Sequence, residues 1–488
     1  MDDAEAPVFY DDDVDFIKHE YLQYGEYDFD YEDTERETLL ELYQYCLGPT
    51  VYDTFSYILP LFITTILFRL CARSQYISHK TFHILSTLIG IYNIHHYVSE
   101  CLYILLILCI ISYITLYVPK AYYKSLGIFL PSLFIIAYCE FSMPPIIWHK
   151  VRSVVMTMAM KTISVAIDKI DTNDLPDIYT YMGYTFCSVT CLFGPWMSFK
   201  DYISIRYTSN QDKWWILYAV QYALISFLFL TISNCWMQWM IMDNSWKLVN
   251  IYYYIYYLIF PFVTSTNICS PYFRWLLAYR DALSFRMSHY FISYIASTLL
   301  LLGGFPFPLS TIVKPFKIEF PRSLVHVVIC WNIPMHFWLK TYIFRPNIKY
   351  LGKFGAVTMT YLTSALLHGL NFQLAAVLLS LGFYTFVEFQ LRSMLANIFD
   401  ACIASKQCTK NKCTHTYNIH NCWWVFLTNI MFSGLSIFHL AYLGLMFDTS
   451  ELQETGYSYI HTIEKWSQLG FASHWVVFAT YCIYFLIR

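Results

Sequence analysis

The sequence predicts an all-α polytopic membrane protein, a bundle of about ten to twelve transmembrane helices with additional interfacial and re-entrant helices. Hydrophobic residues make up 57% of the 488 residues and charged residues only 13%, whereas soluble domains average about 45–50% and about 25%. A run of 29 residues without a formal charge, Trp214 to Met242, is long enough to span a bilayer. The 44 Tyr and 14 Trp residues suit many helix ends at the membrane–water interface.

The first 50 residues are predicted to form an acidic, disordered tail, and residues 51–488 the membrane domain. Residues 1–37 carry fifteen acidic and two basic side chains, a composition that cannot enter lipid. The remaining residues carry ten more bases than acids, which suits anionic lipid headgroups or an anionic ligand. Nothing in the sequence indicates nucleic-acid binding. The acidic N-terminus does not resemble a cleavable signal peptide, so we expect the first apolar segment to be a retained signal-anchor.

Twelve apolar segments are predicted to span the membrane, in the order in which they occur along the chain. They are 54–71, 81–98, 101–118, 122–140, 179–197, 214–237, 247–267, 289–304, 355–371, 372–390, 423–447 and 468–487.

Three other segments mix charges with apolar residues. Residues 144–169 and 272–288 are predicted to be interfacial helices, or helices packed under the membrane body. Residues 321–345 are too polar for lipid contact and must line protein or water. Arg69, Arg73 and Lys80 place the loop after the first span on the cytoplasmic side. The fifteen cysteines are scattered, which argues against a disulfide scaffold.

His368 is the first candidate functional residue, because it lies in a 33-residue stretch, Gly355 to Val387, that has no charged side chain. A titratable ring at membrane depth is costly and usually faces a cavity or a partner. Imidazole changes protonation near neutral pH, which suits proton transfer. The alternative is a packed histidine that is hydrogen-bonded to a neighbouring helix.

Asn332 is the second candidate, within Trp331-Asn332-Ile333-Pro334-Met335-His336-Phe337-Trp338-Leu339, 36 residues before His368. A buried asparagine offers two donors and an acceptor, and leaving them unpaired is costly. Together the two residues form a plausible pair of a base and a polarising group.

These motifs resemble the membrane-bound O-acyltransferases. The resemblance rests on Trp-Asn-x-Pro-x-His-x-Trp-Leu at 331–339 followed by Leu-His-Gly at 367–369. Further stretches that match in order are 193–196, 285–291, 321–323, 374–381, 438–444 and 472–476. The resemblance covers roughly residues 144–488, and within the family it is closest to the members that acylate Wnt proteins. The acidic N-terminus departs from the family and carries no information on activity.

The resemblance implies an enzyme of the endoplasmic reticulum membrane that has a central tunnel and transfers palmitoleate to a serine hydroxyl of Wnt proteins. It implies palmitoleoyl-CoA as the acyl-donor substrate, with no tightly bound cofactor and no metal, and membrane lipids as surroundings. His368 takes the catalytic histidine role and Asn332 that of the family's asparagine. A neutral imidazole can accept the serine proton, while the amide positions the hydroxyl or donates to the oxyanion.

Two further residues are predicted to bind substrate. Trp331 either packs around the site or belongs to the apolar core, as does Trp338. Ser364 lies one helical turn before His368, where its hydroxyl bonds the imidazole or its own backbone carbonyl. His336 shares the face of Asn332, but we assign it no catalytic role.

Four cations are candidates for binding the phosphates of coenzyme A: Lys150, Arg152, Arg286 and Arg322. Each is equally explained as an interfacial anchor. Further along, Glu388 is expected to pair with Arg392 one turn later on the same helix.

A cysteine-rich loop follows, containing Cys402, Cys408, Cys413 and Cys422 together with His415 and His420. The cysteines are separated by five, four and eight residues, and zinc sites commonly have two to four between ligands, so only one gap fits. The sequence therefore favours free or lipidated thiols, or a disulfide, over a metal site. Lysines in this loop indicate the cytosolic side.

Three other functions compete with acylation of Wnt proteins. A transporter would also be a bundle with buried polar residues, but transporters often have internal repeats and paired broken helices that this sequence does not show. A non-catalytic membrane chaperone or receptor of the same fold is the second. The third and strongest is an enzyme of the family that acylates a lipid or a different protein.

Overall fold

The computed structural model describes residues 38–118, 121–169, 175–207, 213–241, 269–369, 371–408, 413–419, 421–447 and 459–488. Throughout these residues the chain is almost entirely helical, with an isolated β-bridge between Ala401 and Tyr417. The all-α class predicted from the sequence is confirmed. Residues 1–37 of the predicted tail and the span predicted at 247–267 lie outside the described residues, whereas residues 39–50 are helical.

The helices are numbered α1 to α18 in chain order. Their bounds are α1 Leu39–Arg73, α2 His79–Val98, α3 Leu102–Thr115, α4 Ala121–Ser142, α5 Pro145–Asp168, α6 Ile178–Thr185, α7 Phe199–Ser204, α8 Trp215–Met240, α9 Cys269–Gly303, α10 Phe307–Ser310, α11 Pro315–Glu319, α12 Leu324–Trp331, α13 Ile333–Trp338, α14 Arg345–Leu367, α15 Phe372–Ile398, α16 Trp423–Gly444, α17 Tyr459–Gln468 and α18 Ala472–Ile487. Helices α1 and α8 contain π-helical turns, a 3₁₀ turn joins α2 to α3, and a π-helical turn joins α13 to α14.

Five candidate membrane spans are found among the described residues: α1, α8, α15, α16, and α2 taken together with α3. Helices α17 and α18 form a sixth if they count as one span, although the pair is bent by 73°. The polytopic membrane class is confirmed, but these spans are fewer than the ten to twelve predicted. Several of the other predicted segments belong to helices that are polar, short or buried in protein, and burial in protein also selects apolar residues.

The span predicted at 179–197 is wrong. Helix α6 ends at Thr185, and residues 186–198 are irregular and mostly buried. Gly194 adopts a left-handed conformation with φ of 69° immediately before Pro195. Irregular backbone is tolerated at membrane depth only where protein covers it, so the apolar composition of this segment reflects burial rather than lipid contact.

The mixed composition of helix α5 left two alternatives open, an interfacial helix or a helix packed against the membrane body. The structure packs α5 inside the protein rather than at the membrane–water interface. Most of its side chains from Val151 to Ala166 are buried, including the charged Lys161. The Lys161 ammonium donates to the carbonyl oxygens of Tyr184 and Thr185, each at 3.2 Å. These carbonyls belong to the last turn of α6, where the Tyr184 oxygen also accepts the N–H of Cys187 at 3.3 Å and the Thr185 oxygen has no helical partner. The buried Lys161 ammonium therefore acts as a C-terminal cap of α6.

A disulfide joins Cys46 in α1 to Cys235 in α8, with 5.9 Å between the Cα atoms. The sequence argued against a disulfide scaffold and did not anticipate this pair, whose members are 189 residues apart. The other cysteines whose side chains are described are free thiols. A single cross-link between two candidate spans fixes one helix pair, while the rest of the fold depends on helix packing.

The long helix α9 organises the C-terminal half of the chain. It packs against α1, α8 and α16. Helix α14 packs along α15, α12 packs against α15, and α4 packs on α5 and touches α14. The ends of α12 and α14 thereby reach the interior of the bundle, where the candidate site lies.

We predict that Lys161→Met destabilises the protein without acting on the site directly. Methionine keeps most of the side-chain volume but removes both hydrogen bonds and leaves the buried carbonyl oxygen of Thr185 without its donor, which costs about 1–3 kcal/mol. Thermal unfolding of the purified protein in detergent should show a lower midpoint. Lys349→Met, at an exposed position on α14, is the matched control and should leave the midpoint unchanged; equal midpoints for both variants would contradict the role of Lys161.

Candidate active site

His368 lies at a break between two helices. Helix α14 ends at Leu367, and the backbone N–H of His368 donates to the carbonyl oxygens of Ser364 and Ala365 at 3.2 and 3.1 Å. Helix α15 begins after Asn371, whose side-chain oxygen accepts the N–H of Leu374 at 3.2 Å. The helix end and the cap satisfy backbone groups that a break at membrane depth would otherwise leave unpaired. The imidazole is thereby placed on a turn in the interior of the bundle.

Gly369 makes this break possible. Its φ of 94° lies in the left-handed region, which side chains disfavour. A Cβ atom here would lie 2.2 Å from Oε2 of Glu140 on α4. That carboxylate is held by Trp148, whose indole N–H donates to it at 2.6 Å. Only glycine lets the chain after His368 approach this pair so closely.

Asn332 lies at a second break, between α12 and α13. Its backbone is extended, with φ of −147° and ψ of 93°, and its side-chain oxygen accepts the N–H of Met335 at 3.0 Å. Asn332 is thus the N-cap of α13, with Pro334 in the first turn. Because the amide oxygen caps the helix, the group that Asn332 can offer to a ligand is its NH₂, a hydrogen-bond donor.

His368 and Asn332 line one cavity of about 740 Å³, a size typical of small-molecule sites. Trp331, Ser364 and Arg286, also predicted as site residues, line the same cavity. Much of the wall is apolar and includes Val325, Val328, Ile329, Val377, Leu378 and Leu381. Helices α5, α9, α12, α14, α15 and α16 all contribute to the wall.

The cavity is also cationic. Arg152, Arg286, Lys340 and Lys406 line it, and none of the described residues in its wall is acidic. Arg286 is paired with Glu319 through Nε at 2.8 Å and Nη2 at 3.0 Å. Its remaining nitrogen, Nη1, is buried and has no hydrogen-bond partner in the structure. An unpaired buried guanidinium donor is costly.

Arg322 is a correction to the predicted set. Its guanidinium donates to the carbonyl oxygens of Cys402 at 2.8 Å and Ala404 at 3.1 Å, and Arg322 is not among the residues of the cavity wall. The predicted substrate-binding role is therefore replaced by a structural one. Lys150 is exposed on α5 and is likewise absent from the cavity wall.

Sequence reasoning missed His289, which lines the cavity on α9. Its ring stacks on Trp331 with 4.4 Å between centroids, and its Nε2 lies 2.9 Å from the Trp331 carbonyl oxygen. His289 thus fixes the residue that precedes Asn332. It follows Arg286 by three residues on the same helix, a spacing that places both on one face. That shared face was the signal that could have identified it.

The remaining predicted residues separate into cavity wall and core. Trp338 is fully buried, and its indole N–H donates to the Met160 carbonyl oxygen at 3.1 Å, so it is a core residue. His336 lines the cavity, and we assign it no catalytic role. Ser364 lines the cavity, and a bond from its hydroxyl to the imidazole remains a prediction.

The protein is a helical membrane protein with a histidine and an amide donor on the wall of one apolar, cationic cavity. These are the features of an integral-membrane acyltransferase. The chain belongs to the membrane-bound O-acyltransferase family, whose sequence model matches residues 49–444. It is therefore an acyltransferase, and the resemblance inferred from its motifs is confirmed.

Similar proteins identify a narrower group of acyltransferases within this family. The chain is 34% identical to the protein-serine O-palmitoleoyltransferase porcupine of Homo sapiens over 485 residues, covering 93% of this chain and 99% of that protein. It is 31% identical over 489 residues to the protein of the same name from Anopheles gambiae, covering 91% and 93%. The Drosophila melanogaster protein of that name is 33% identical over 368 residues, covering 70% and 65%.

We predict that Gly369→Ala lowers acyl transfer by about 100-fold, the loss that a displacement of about 1 Å causes in a positioned group. Alanine disfavours the φ of 94° at this position, and its methyl also displaces the Glu140 carboxylate, so the turn that carries His368 shifts. Initial rates of acyl transfer by the purified variant, at equal folded protein in gel filtration, test this.

Gly434→Ala provides the control. Gly434 lies in α16, and a Cβ there would meet no atom within 4 Å. Alanine favours a helix interior over glycine, so this variant should keep its activity. Full activity of Gly369→Ala would show that the left-handed turn at Gly369 does not depend on glycine to position His368.

Proposed function

We propose that this chain transfers palmitoleate from palmitoleoyl-CoA to a serine hydroxyl of a protein, with Wnt proteins as the acceptors. The observation that carries the proposal is that His368 and Asn332, from two separate helix breaks, line one cavity with apolar walls and several cationic side chains. Similarity over 93% of the chain to a protein-serine O-palmitoleoyltransferase supports this acyl group and this acceptor.

In the proposed reaction, His368 accepts the proton of the serine hydroxyl while the serine oxygen attacks the thioester carbonyl carbon. The carbonyl oxygen becomes an oxyanion, and the NH₂ of Asn332 donates a hydrogen bond to it. The carbon–sulfur bond then breaks, and the imidazolium returns the proton to the leaving thiolate. The products are an O-acyl serine and free coenzyme A, and His368 is neutral again.

The cavity wall supports the binding of both parts of the donor. Each methylene that leaves water for the apolar wall contributes about 0.8 kcal/mol, so a long acyl chain is favoured there. Arg152, Arg286, Lys340 and Lys406 provide positive charge for phosphate groups.

Two features of α1 support an orientation. Cys46, near its start, forms the disulfide with Cys235, and Arg69 and Arg73 lie at its end. Disulfides persist in oxidising compartments such as the lumen of the endoplasmic reticulum, and cations flank spans on the cytosolic side. We therefore assign the protein to the endoplasmic reticulum membrane, with its donor supplied from the cytosol and its acceptor from the lumen.

We predict that His368→Ala abolishes acyl transfer and that Asn332→Ala lowers the rate by about 100- to 1000-fold, the loss that follows removal of an oxyanion donor. Purified protein is incubated with palmitoleoyl-CoA and a serine-containing peptide from a Wnt protein, and the acylated peptide is measured by mass spectrometry. His95→Ala, at an exposed position on α2, should retain full activity.

Three further reactions make this assay specific. A peptide with alanine in place of serine should give no product, and neither a sterol nor a lysolipid should compete as an acceptor. Acylation of the sterol or lysolipid but not of the peptide would show that the acceptor is a lipid rather than a protein. Full activity of His368→Ala at matched folded protein would end the assignment of that residue.

A further inference from the structure

Three thiols come together in the loop that follows α15. The Sγ atoms of Cys402, Cys408 and Cys413 all lie within 4.8 Å of one another. Cys402 is buried and the other two are half-buried. We propose that these three residues bind one Zn²⁺ as thiolates and that His415 completes the coordination.

The distances suit such a site. Zinc–sulfur bonds of about 2.3 Å at tetrahedral angles place sulfur atoms about 3.8 Å apart, so the three thiols need only a small contraction around an ion. Soft thiolate ligands select Zn²⁺ among the abundant divalent cations. Each thiol loses its proton on binding, so three thiolates and one Zn²⁺ leave a net charge of minus one.

The backbone that carries Cys402 is fixed from several directions. Its N–H donates to the Tyr417 carbonyl oxygen at 2.8 Å, which ties the two ends of the loop together. Its own carbonyl oxygen accepts from Arg322 at 2.8 Å. The next two carbonyl oxygens, of residues 403 and 404, accept from Arg392, with 2.7 Å to the first. The loop around Cys402 is thus held in place before any ion binds.

Arg322 also suits the charge of the proposed site. Its Nη2 lies 4.0 Å from the Cys402 sulfur, close enough to stabilise a thiolate. Outer groups that donate to ligand atoms and balance their charge are a regular part of zinc sites. This accounts for an arginine that the sequence suggested for substrate and the structure places elsewhere.

His415 is oriented as zinc-binding histidines usually are. Its Nδ1 lies 3.2 Å from Oδ1 of Asp400, and Asp400 is itself held by the backbone N–H of Thr416 at 3.0 Å. A carboxylate on one ring nitrogen leaves the other, Nε2, available to a metal. His415 follows Cys413 by two residues, so it lies in the same short segment of the loop as one of the proposed thiol ligands.

The alternative, a disulfide, fits less well. Three neighbouring thiols cannot all pair with one another, and the loop contains the lysines 406, 410 and 412, which place it on the reducing cytosolic side. In the structure Cys402, Cys408 and Cys413 are free thiols.

The site would connect the loop to the cavity. Lys406 lies between Cys402 and Cys408 in sequence, and its side chain lines the cavity that holds His368. Zinc would hold this cation in position at the wall. That consequence rests on the proposed function, whereas the metal site itself does not.

The test is the metal content of the full-length protein, purified in detergent without chelators. Mass spectrometry of the metals should find one zinc ion per chain, and Cys402→Ser, Cys408→Ser and Cys413→Ser should each lose it. His415→Ala should release zinc to a competing chelator faster than the unmodified protein. Cys482→Ser, at a free thiol on α18, is the matched control and should retain the ion.

A second measurement keeps the test decisive if the serine variants do not fold. In the unmodified protein, Cys402, Cys408 and Cys413 should resist alkylation until a zinc chelator is added, after which all three react together. Folded protein that contains no zinc, or in which two of these cysteines are joined by a disulfide, overturns the proposal. Acyl transfer is not measured in either experiment, so failure of the proposed function would leave these results unchanged.

Discussion

The polar site in this protein depends on helix ends whose backbone hydrogen-bonding groups are paired in the apolar interior of the bundle. His368 ends α14, Asn371 begins α15, and Asn332 begins α13. Each break exposes backbone groups that lipid cannot satisfy, and caps or neighbouring helices pair them. The breaks are what allow an imidazole and an amide to face a cavity instead of a helix neighbour. Gly369, with its left-handed φ, allows the chain to turn at the first of these breaks, beside Glu140 and Trp148.

A second set of buried charges connects the site to the surrounding loops. Glu388 and Arg392 form the pair expected one turn apart on α15, at 3.0 Å, and both are almost fully buried. The Glu388 carboxylate also accepts the N–H of Leu324, the first residue of α12, at 2.8 Å. Arg392 reaches the carbonyl oxygens of the cysteine-rich loop. One ion pair thus ties the helix that leads to Asn332 to the loop that carries Lys406, and additional hydrogen bonds offset the cost of burying it.

Much of this arrangement could be predicted from the sequence, because a charge-free stretch makes each polar residue in it conspicuous. His368 and Ser364 lie in such a stretch, Asn332 and Trp331 lie in the motif at 331–339, and Arg286 is a candidate because of its charge. The structure places all five at one cavity. Their chemical roles remain proposals. Arg322 could not be told from Arg286, since an arginine that binds loop carbonyls and one that lines a cavity have the same sequence context.

Other features depend on contacts that no local pattern contains. The irregular segment after α6 is as apolar as a span because protein, rather than lipid, surrounds it. The thiols of the cysteine-rich loop do not have the usual zinc spacing, yet the bridge between Ala401 and Tyr417 folds the loop so that they meet. The stacking of His289 on Trp331 joins two helices that are distant in sequence. Tertiary packing, not composition, decides each of these cases.

The central claim is that a thioester carbonyl binds between His368 and Asn332, and a cryo-EM structure of the protein with a non-hydrolysable palmitoleoyl-CoA analogue tests it most directly. The account predicts the acyl chain along the apolar wall and the carbonyl oxygen about 2.7–3.2 Å from Nδ2 of Asn332. The His368 ring should face the carbonyl carbon from the side open to a serine hydroxyl. An analogue bound elsewhere, or bound in the cavity with its carbonyl remote from both residues, would contradict the account.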